Sequence, residues 1–133
     1  MKKVILALSI LLLFNIPSVY YSWYITYNWV DVIQHLTGGF FIAMLFSYYL
    51  KDHFLPGKKI QNTLIIVGAT IFIGVVWEFA EYIANQTLID YFYQKFQLRV
   101  YFMGDLRDTI KDLLDDILGG LTFCILSRTK LFR

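Results

Sequence analysis

Four apolar stretches of roughly 20 residues each, joined by short polar connections, leave little else in this 133-residue chain. An α-helix rises 1.5 Å per residue, so about 20 residues cross the roughly 30 Å hydrocarbon core of a bilayer. With 58% hydrophobic and 19% aromatic residues, the chain carries more apolar surface than a soluble domain of this length can bury. Its mean hydropathy of +0.56 points the same way. The expectation is an all-α integral membrane bundle of about four transmembrane helices, a single domain over residues 1–133, with helices near 4–24, 29–50, 62–84 and 108–127.

The first stretch follows Lys2 and Lys3 and has the outline of a signal peptide. No small-x-small cleavage pattern comes after it. Pro17, Tyr20, Tyr21, Trp23 and Tyr24 occupy that place, so the reading is an uncleaved helix. The formal charge of +2 is spread over single and paired basic residues, which excludes the basic stripe of a nucleic-acid binder. The one cysteine, Cys124, cannot form an intramolecular disulfide and reads as a small buried hydrophobe.

Charge also orients the chain. Eight basic residues (Lys2, Lys3, Lys51, Lys58, Lys59, Arg128, Lys130 and Arg133) would share one side, against three (Lys95, Arg99 and Arg107) on the other. The positive-inside rule then places both termini in the cytoplasm of a multi-pass protein of the bacterial cytoplasmic membrane. Pro56-Gly57 turns the inner connection. The outer loop, residues 85–107, mixes Tyr91, Phe92, Tyr93 and Phe96 with charged residues, as expected of a segment lying in the headgroup layer. Asn85-Gln86-Thr87 matches a glycosylation acceptor, a short and common pattern.

Most of the acids are not in loops. Of ten Asp and Glu residues, only Asp52 and Asp90 fall in ordinary loop positions. A carboxylate inside a membrane helix is costly unless it faces a cavity or partner, which marks it as a functional candidate. Asp31 and His35 are one turn apart on the second helix, with Gly38 and Gly39 following on the same side. Glu78 and Glu81 share a face of the third helix with Gly74. Asp105, Asp108, Asp112 and either Asp115 or Asp116 form a stripe on the fourth, continued by Gly119 and Gly120, while Arg107 and Lys111 point elsewhere. His35, Glu78 and Asp112 fall about 6 to 9 Å below the outer boundary at 1.5 Å per residue, level with one another. The glycines would let the helices approach closely.

This pattern predicts a polar pocket in the outer half of the bundle. So many carboxylates cannot all ionise unaided at one site, so a divalent cation, shared protons or water must compensate them. A carboxylate-rich set with one imidazole suits Mg²⁺, Mn²⁺ or Ca²⁺, and mixed Asp/His sets also take Zn²⁺. The expected metal ligands are Glu78, Asp112, Asp116 and Asp108. His35, oriented by Asp31, with Glu81 nearby, would act as general base in a metal-assisted hydrolysis or transfer. The plain reading of the same residues is that Asp105 and Asp108 are solvated first-turn acids, Asp108 an N-cap before Thr109, and the rest a hydrogen-bonded knot setting helix register.

At these residues the sequence resembles the YjdF-type small bacterial inner-membrane proteins and the broader VanZ-like group. The resemblance rests on Asp31-x-x-x-His35 followed by glycine, on Trp77-Glu78, and on Asp108-Thr109-x-x-Asp112 with Gly119 beyond, over residues 29–121. The VanZ-like group is associated with low-level teicoplanin resistance, which implies work near cell-envelope material. This chain departs from that pattern in having Asp116 where the pattern has Asn, and in the residues between its third and fourth helices. Three functions compete: a cation-binding pocket acting on a lipid-linked or cell-envelope substrate drawn from membrane lipids, a proton-coupled transporter, and a non-catalytic scaffold subunit. The transporter needs a polar path, and below the pocket the third helix offers only Thr70. The residues say nothing about oligomeric state.

Overall fold

A computed structural model describes residues 1–102 and 104–127, the side chain of Asn28 excepted. In chain order it contains α1 (Lys2–Tyr20), the single turn α2 (Trp23–Thr26), α3 (Asn28–Tyr49), α4 (Lys59–Phe96) and α5 (Leu106–Ser127), with a 3₁₀ turn at Lys51–His53 between α3 and α4. No strand occurs among the described residues. Arg128, Lys130 and Arg133, three of the eight residues that weigh the charge balance, lie outside the described residues.

The fold is the expected all-α membrane bundle. Among the described residues, three helices are long and apolar enough to cross a bilayer: α1, α3 from Trp29, and α4. The fourth long helix, α5, is not among them, because its first three turns carry Asp108, Lys111, Asp112, Asp115 and Asp116. It packs instead against both α3 and α4, most extensively against α3, which touches every other helix. Residues that face outward from the bundle are apolar: Leu6, Leu13 and Ile16 of α1 are 61%, 61% and 66% exposed, a surface that lipid rather than water must solvate.

Two boundaries differ from the sequence expectation. α1 stops at Tyr20 because Ser22 takes a left-handed conformation (φ 54°), so the residues through Tyr24 belong to a separate turn. Tyr24 is tied back to α1 by a hydrogen bond from its hydroxyl to Asn15 Oδ1. More consequentially, α4 does not end near Ala84. No Pro or Gly interrupts residues 85–96, so the helix runs on to Phe96 and closes at Gln97 (φ 54°), whose amide donates to the Tyr93 carbonyl at 3.0 Å. At 38 residues it is about 57 Å long, nearly twice the hydrocarbon thickness. Only residues 97–105 remain as the connection to α5.

That connection is fastened by Asn85, whose Oδ1 accepts the Phe102 amide at 2.9 Å. The glycosylation-like triplet is therefore a stretch of helix, and its asparagine holds the returning chain. At the opposite end Asn62, 2% exposed, plays a parallel part: its side chain bonds both the amide (3.1 Å) and the carbonyl (3.0 Å) of Leu55, pinning the α3–α4 connection to the first turns of α4. Between these ends lies a core of Ala43, Ile66, Val67, Phe123 and Cys124, with Phe40 edge-on to Phe123 at 5.5 Å.

Close packing of α3 on α5 positions everything above this core. A Cβ built on Gly39 would stand 2.8 Å from the Asp116 Cα, and one on Gly119 2.8 Å from the Phe40 amide nitrogen. Backbone therefore meets backbone on both sides of the contact, which only glycine permits. Gly74 of α4 is equally tight, because a Cβ there would meet the Asp116 carboxylate and come within 3.3 Å of Leu113. Gly120 makes only ordinary contact with Thr70, and Gly38 faces open space. Adjacent helical residues differ by about 100° in direction, so Gly38 and Gly39 cannot serve the same interface.

Candidate functional site

The acids gather at the end of the bundle where α2, the start of α3 and the α4–α5 connection meet, here termed the upper end. Asp105 begins the site as the N-cap of α5. Its Oδ1 accepts the amides of Arg107 (2.9 Å) and Asp108 (3.1 Å), so the cap is Asp105 and not Asp108 as the sequence suggested. From that start the helix turns Asp112 and Asp116 toward α3, with Asp108 at the rim beside Lys111.

His35 stands where the stripes converge. The Gly39–Asp116 contact one turn below brings Asp116 Oδ1 to 3.5 Å from His35 Nδ1, and Asp31, one turn above, lies 3.7 Å from Nε2. The imidazole is thus held between two carboxylates from different helices and is buried. On the α4 side Glu81 accepts the Trp77 indole N–H at 3.0 Å. Glu78 is buried, and its Oε1 has no hydrogen-bond partner.

Lys111 is placed differently from the sequence expectation. Although the helical wheel directs its Cα away from the acidic stripe, its Nζ reaches Asp31 Oδ2 and Asp112 Oδ1, both at 3.3 Å, and Asp108 Oδ1 at 3.9 Å. A four-carbon stem lets the ammonium curl back over the stripe while the stem stays at the surface. It supplies a cation to two helices at once and accounts for much of the compensation that Asp31 and Asp112 require.

Among the described residues, two groups offer ligand atoms within 4.8 Å of one another: Asp31, His35 and Asp112, and His35, Glu78 and Glu81. His35 belongs to both. The metal set expected from spacing, Glu78, Asp112, Asp116 and Asp108, is divided: Asp112 and Glu78 fall in different groups, Asp116 pairs with the imidazole, and Asp108 lies at the rim, half-exposed beside Lys111. Helix periodicity grouped these acids by face but could not say how each helix is rotated about its own axis.

Four buried side-chain atoms among the described residues lack a hydrogen-bond partner: Gln34 Nε2 and Oε1, Glu78 Oε1 and Asp115 Oδ2. Native proteins leave few such atoms, so each calls for a ligand, a proton or water. Gln34 and Tyr24 escaped the sequence reading because polar residues near a helix start are unremarkable in isolation. Lys111 escaped it because Cα position was taken for side-chain position.

Two cavities adjoin the cluster. One, of about 490 Å³, is lined by Asp31, Glu81, Asp108, Lys111 and Asp112 and roofed by Tyr101 and Phe102 of the connecting chain. The other, of about 270 Å³, lies lower and is walled by Leu8, Leu11 and Leu12 of α1, Ile42 of α3 and Ile73 of α4. Tyr24, Asp31 and Glu81 line both.

A family model described as "Predicted membrane protein (DUF2238)" matches residues 2–131. The chain belongs to this family. A Thermotoga maritima relative described as "Uncharacterized protein" is 35% identical over 97 residues, which cover 69% of this chain and 44% of the relative. This DUF2238 chain therefore spans less than half the length of that relative. No solved structure matches it. The family description agrees with the apolar helices in making the protein a membrane protein, and it carries no VanZ-like designation.

Proposed function

We propose that this is a multi-pass protein of the bacterial cytoplasmic membrane, of the YjdF type, with both termini cytoplasmic and the upper end extracytoplasmic. Its acidic pocket binds one divalent cation and, through it, the phosphate of a lipid-linked or cell-envelope substrate. The observation that carries this reading is the His35, Glu78 and Glu81 group, in which ligand atoms from two helices lie within 4.8 Å and the buried Glu78 Oε1 has no partner. The alternative group, Asp31, His35 and Asp112, already holds the Lys111 ammonium 3.3 Å from both acids, and an ion there would have to displace it. A nitrogen and two carboxylates suit Zn²⁺ or Mn²⁺, with open positions left for water and a phosphate oxygen.

In this reading Asp31 orients His35, and Trp77 fixes the direction of Glu81. Metal content of the detergent-purified protein tests it. One divalent ion per chain, removed by chelator and lost in Glu78→Gln, is the expected result. Absence of any ion from both proteins after equilibration with Zn²⁺, Mn²⁺, Mg²⁺ and Ca²⁺ would overturn it. The scaffold reading is favoured by one specific observation, the Lys111 bridge between Asp31 of α3 and Asp112 of α5. It predicts that chelator leaves thermal stability unchanged.

A further inference from the structure

The lower cavity is not a gap in the core. It lies between α1 and α4; α1 approaches α2 and α3 closely, whereas among the described residues no α1 Cα comes within 8 Å of a Cα of α4 or α5. In a bilayer such an opening faces lipid chains sideways. Leucine and isoleucine make its apolar walls, with Trp77 and the open face of Gly38 between them, while Asn15, Thr70, His35 and Asp116 add polar groups to the lining. At its top stands Gln34, whose amide nitrogen and oxygen are both buried and without partners. An apolar slot would leave such an amide unsatisfied at appreciable cost, so its presence calls for a polar ligand group at that depth. Directly above, Tyr24, Asp31 and Glu81 line both the slot and the charged upper cavity, so the two adjoin at these side chains.

Polar chamber, buried amide and apolar slot succeed one another in the order of head, linkage and chain in a lipid. We propose that the slot receives a single alkyl chain of a lipid phosphate entering between α1 and α4, with the linkage at the Gln34 amide and the head in the acidic chamber. The slot, about 270 Å³, is near the lower limit of small-molecule cavities and leaves no room for a second chain. The identity of the head rests on the cation reading above. The chain site does not.

The probe is dodecyl phosphate brominated at the chain end, titrated into the protein in neutral detergent with Trp23→Phe and Trp29→Phe, so that Trp77 is the one remaining tryptophan of three. Saturable quenching of Trp77 by this probe, beyond that caused by a brominated dodecyl maltoside, is the expected result. Gly38→Leu should weaken the probe about tenfold or more, the equivalent of about two buried methylenes. It should leave ion content unchanged, because a Cβ there meets nothing within 4 Å and none of the proposed ion ligands is substituted. Equal, unsaturable quenching by both heads in the parent protein would overturn the proposal, whatever the variant does. Equal quenching by a brominated two-chain phosphatidate would overturn the single-chain assignment. Chelator separates the two readings: saturation that survives chelation retains the slot and removes the cation bridge, whereas bound ion without saturable quenching removes the slot alone.

Discussion

Gly38 and Gly39 are neighbours on one helix, yet alanine should affect them in opposite directions. At Gly39 the added Cβ would stand 2.8 Å from the Asp116 Cα and 2.9 Å from its carbonyl carbon, and neither is a side-chain atom able to swing away. α3 and α5 must separate, at an overpacking cost of about 1–3 kcal/mol. At Gly38 nothing lies within 4 Å. The gain in helix propensity, up to about 1 kcal/mol, is common to both variants and cancels between them. Gly39→Ala should therefore be less stable than Gly38→Ala by about 1–3 kcal/mol, a factor of about 5 to 150 in the unfolding equilibrium. Unfolding in mixed micelles by titration with a denaturing detergent, followed by far-ultraviolet circular dichroism, measures the difference. Equal stability, or a reversed order, would refute the claim that α3 and α5 meet backbone to backbone at Asp116.

Asn62→Ala should destabilise by about 1–3 kcal/mol in the same unfolding assay, because it removes both hydrogen bonds to Leu55 at a fully buried position. Asn85→Ala costs about 1 kcal/mol and frees the Phe102 amide, so limited proteolysis should accelerate within residues 97–105 and not in α4. Lys111→Met leaves Asp31 and Asp112 without their shared ammonium; since the lysine side chain is 41% exposed, the loss is about 1–2 kcal/mol rather than that of a fully buried pair.

The class of the protein and the acidic faces of its helices were legible in the chain because both follow from one-dimensional rules. A bilayer needs about 20 apolar residues per crossing, and a 3.6-residue repeat puts Asp31 with His35, Glu78 with Glu81, and Asp108 with Asp112 whatever surrounds them. The acids that these rules singled out do converge at one end of the bundle, around His35. The same rules ended the third long helix too early, since aromatic and charged residues near 85–96 read as an interfacial loop when nothing in them breaks a helix.

What packing alone decided is how the helices are rotated and spaced. The contact of Gly39 with Asp116 sets which carboxylate faces the imidazole, and a flexible lysine stem, not its Cα, chooses where the ammonium goes. The slot exists because α1 leans closely on α3 and keeps its Cα atoms more than 8 Å from those of α4, a relation between segments some 60 residues apart that no local pattern records. Periodicity fixes the direction of a side chain relative to its own helix axis. Only close packing fixes that axis relative to its neighbours, and the buried acids and histidine of this protein meet across those interfaces.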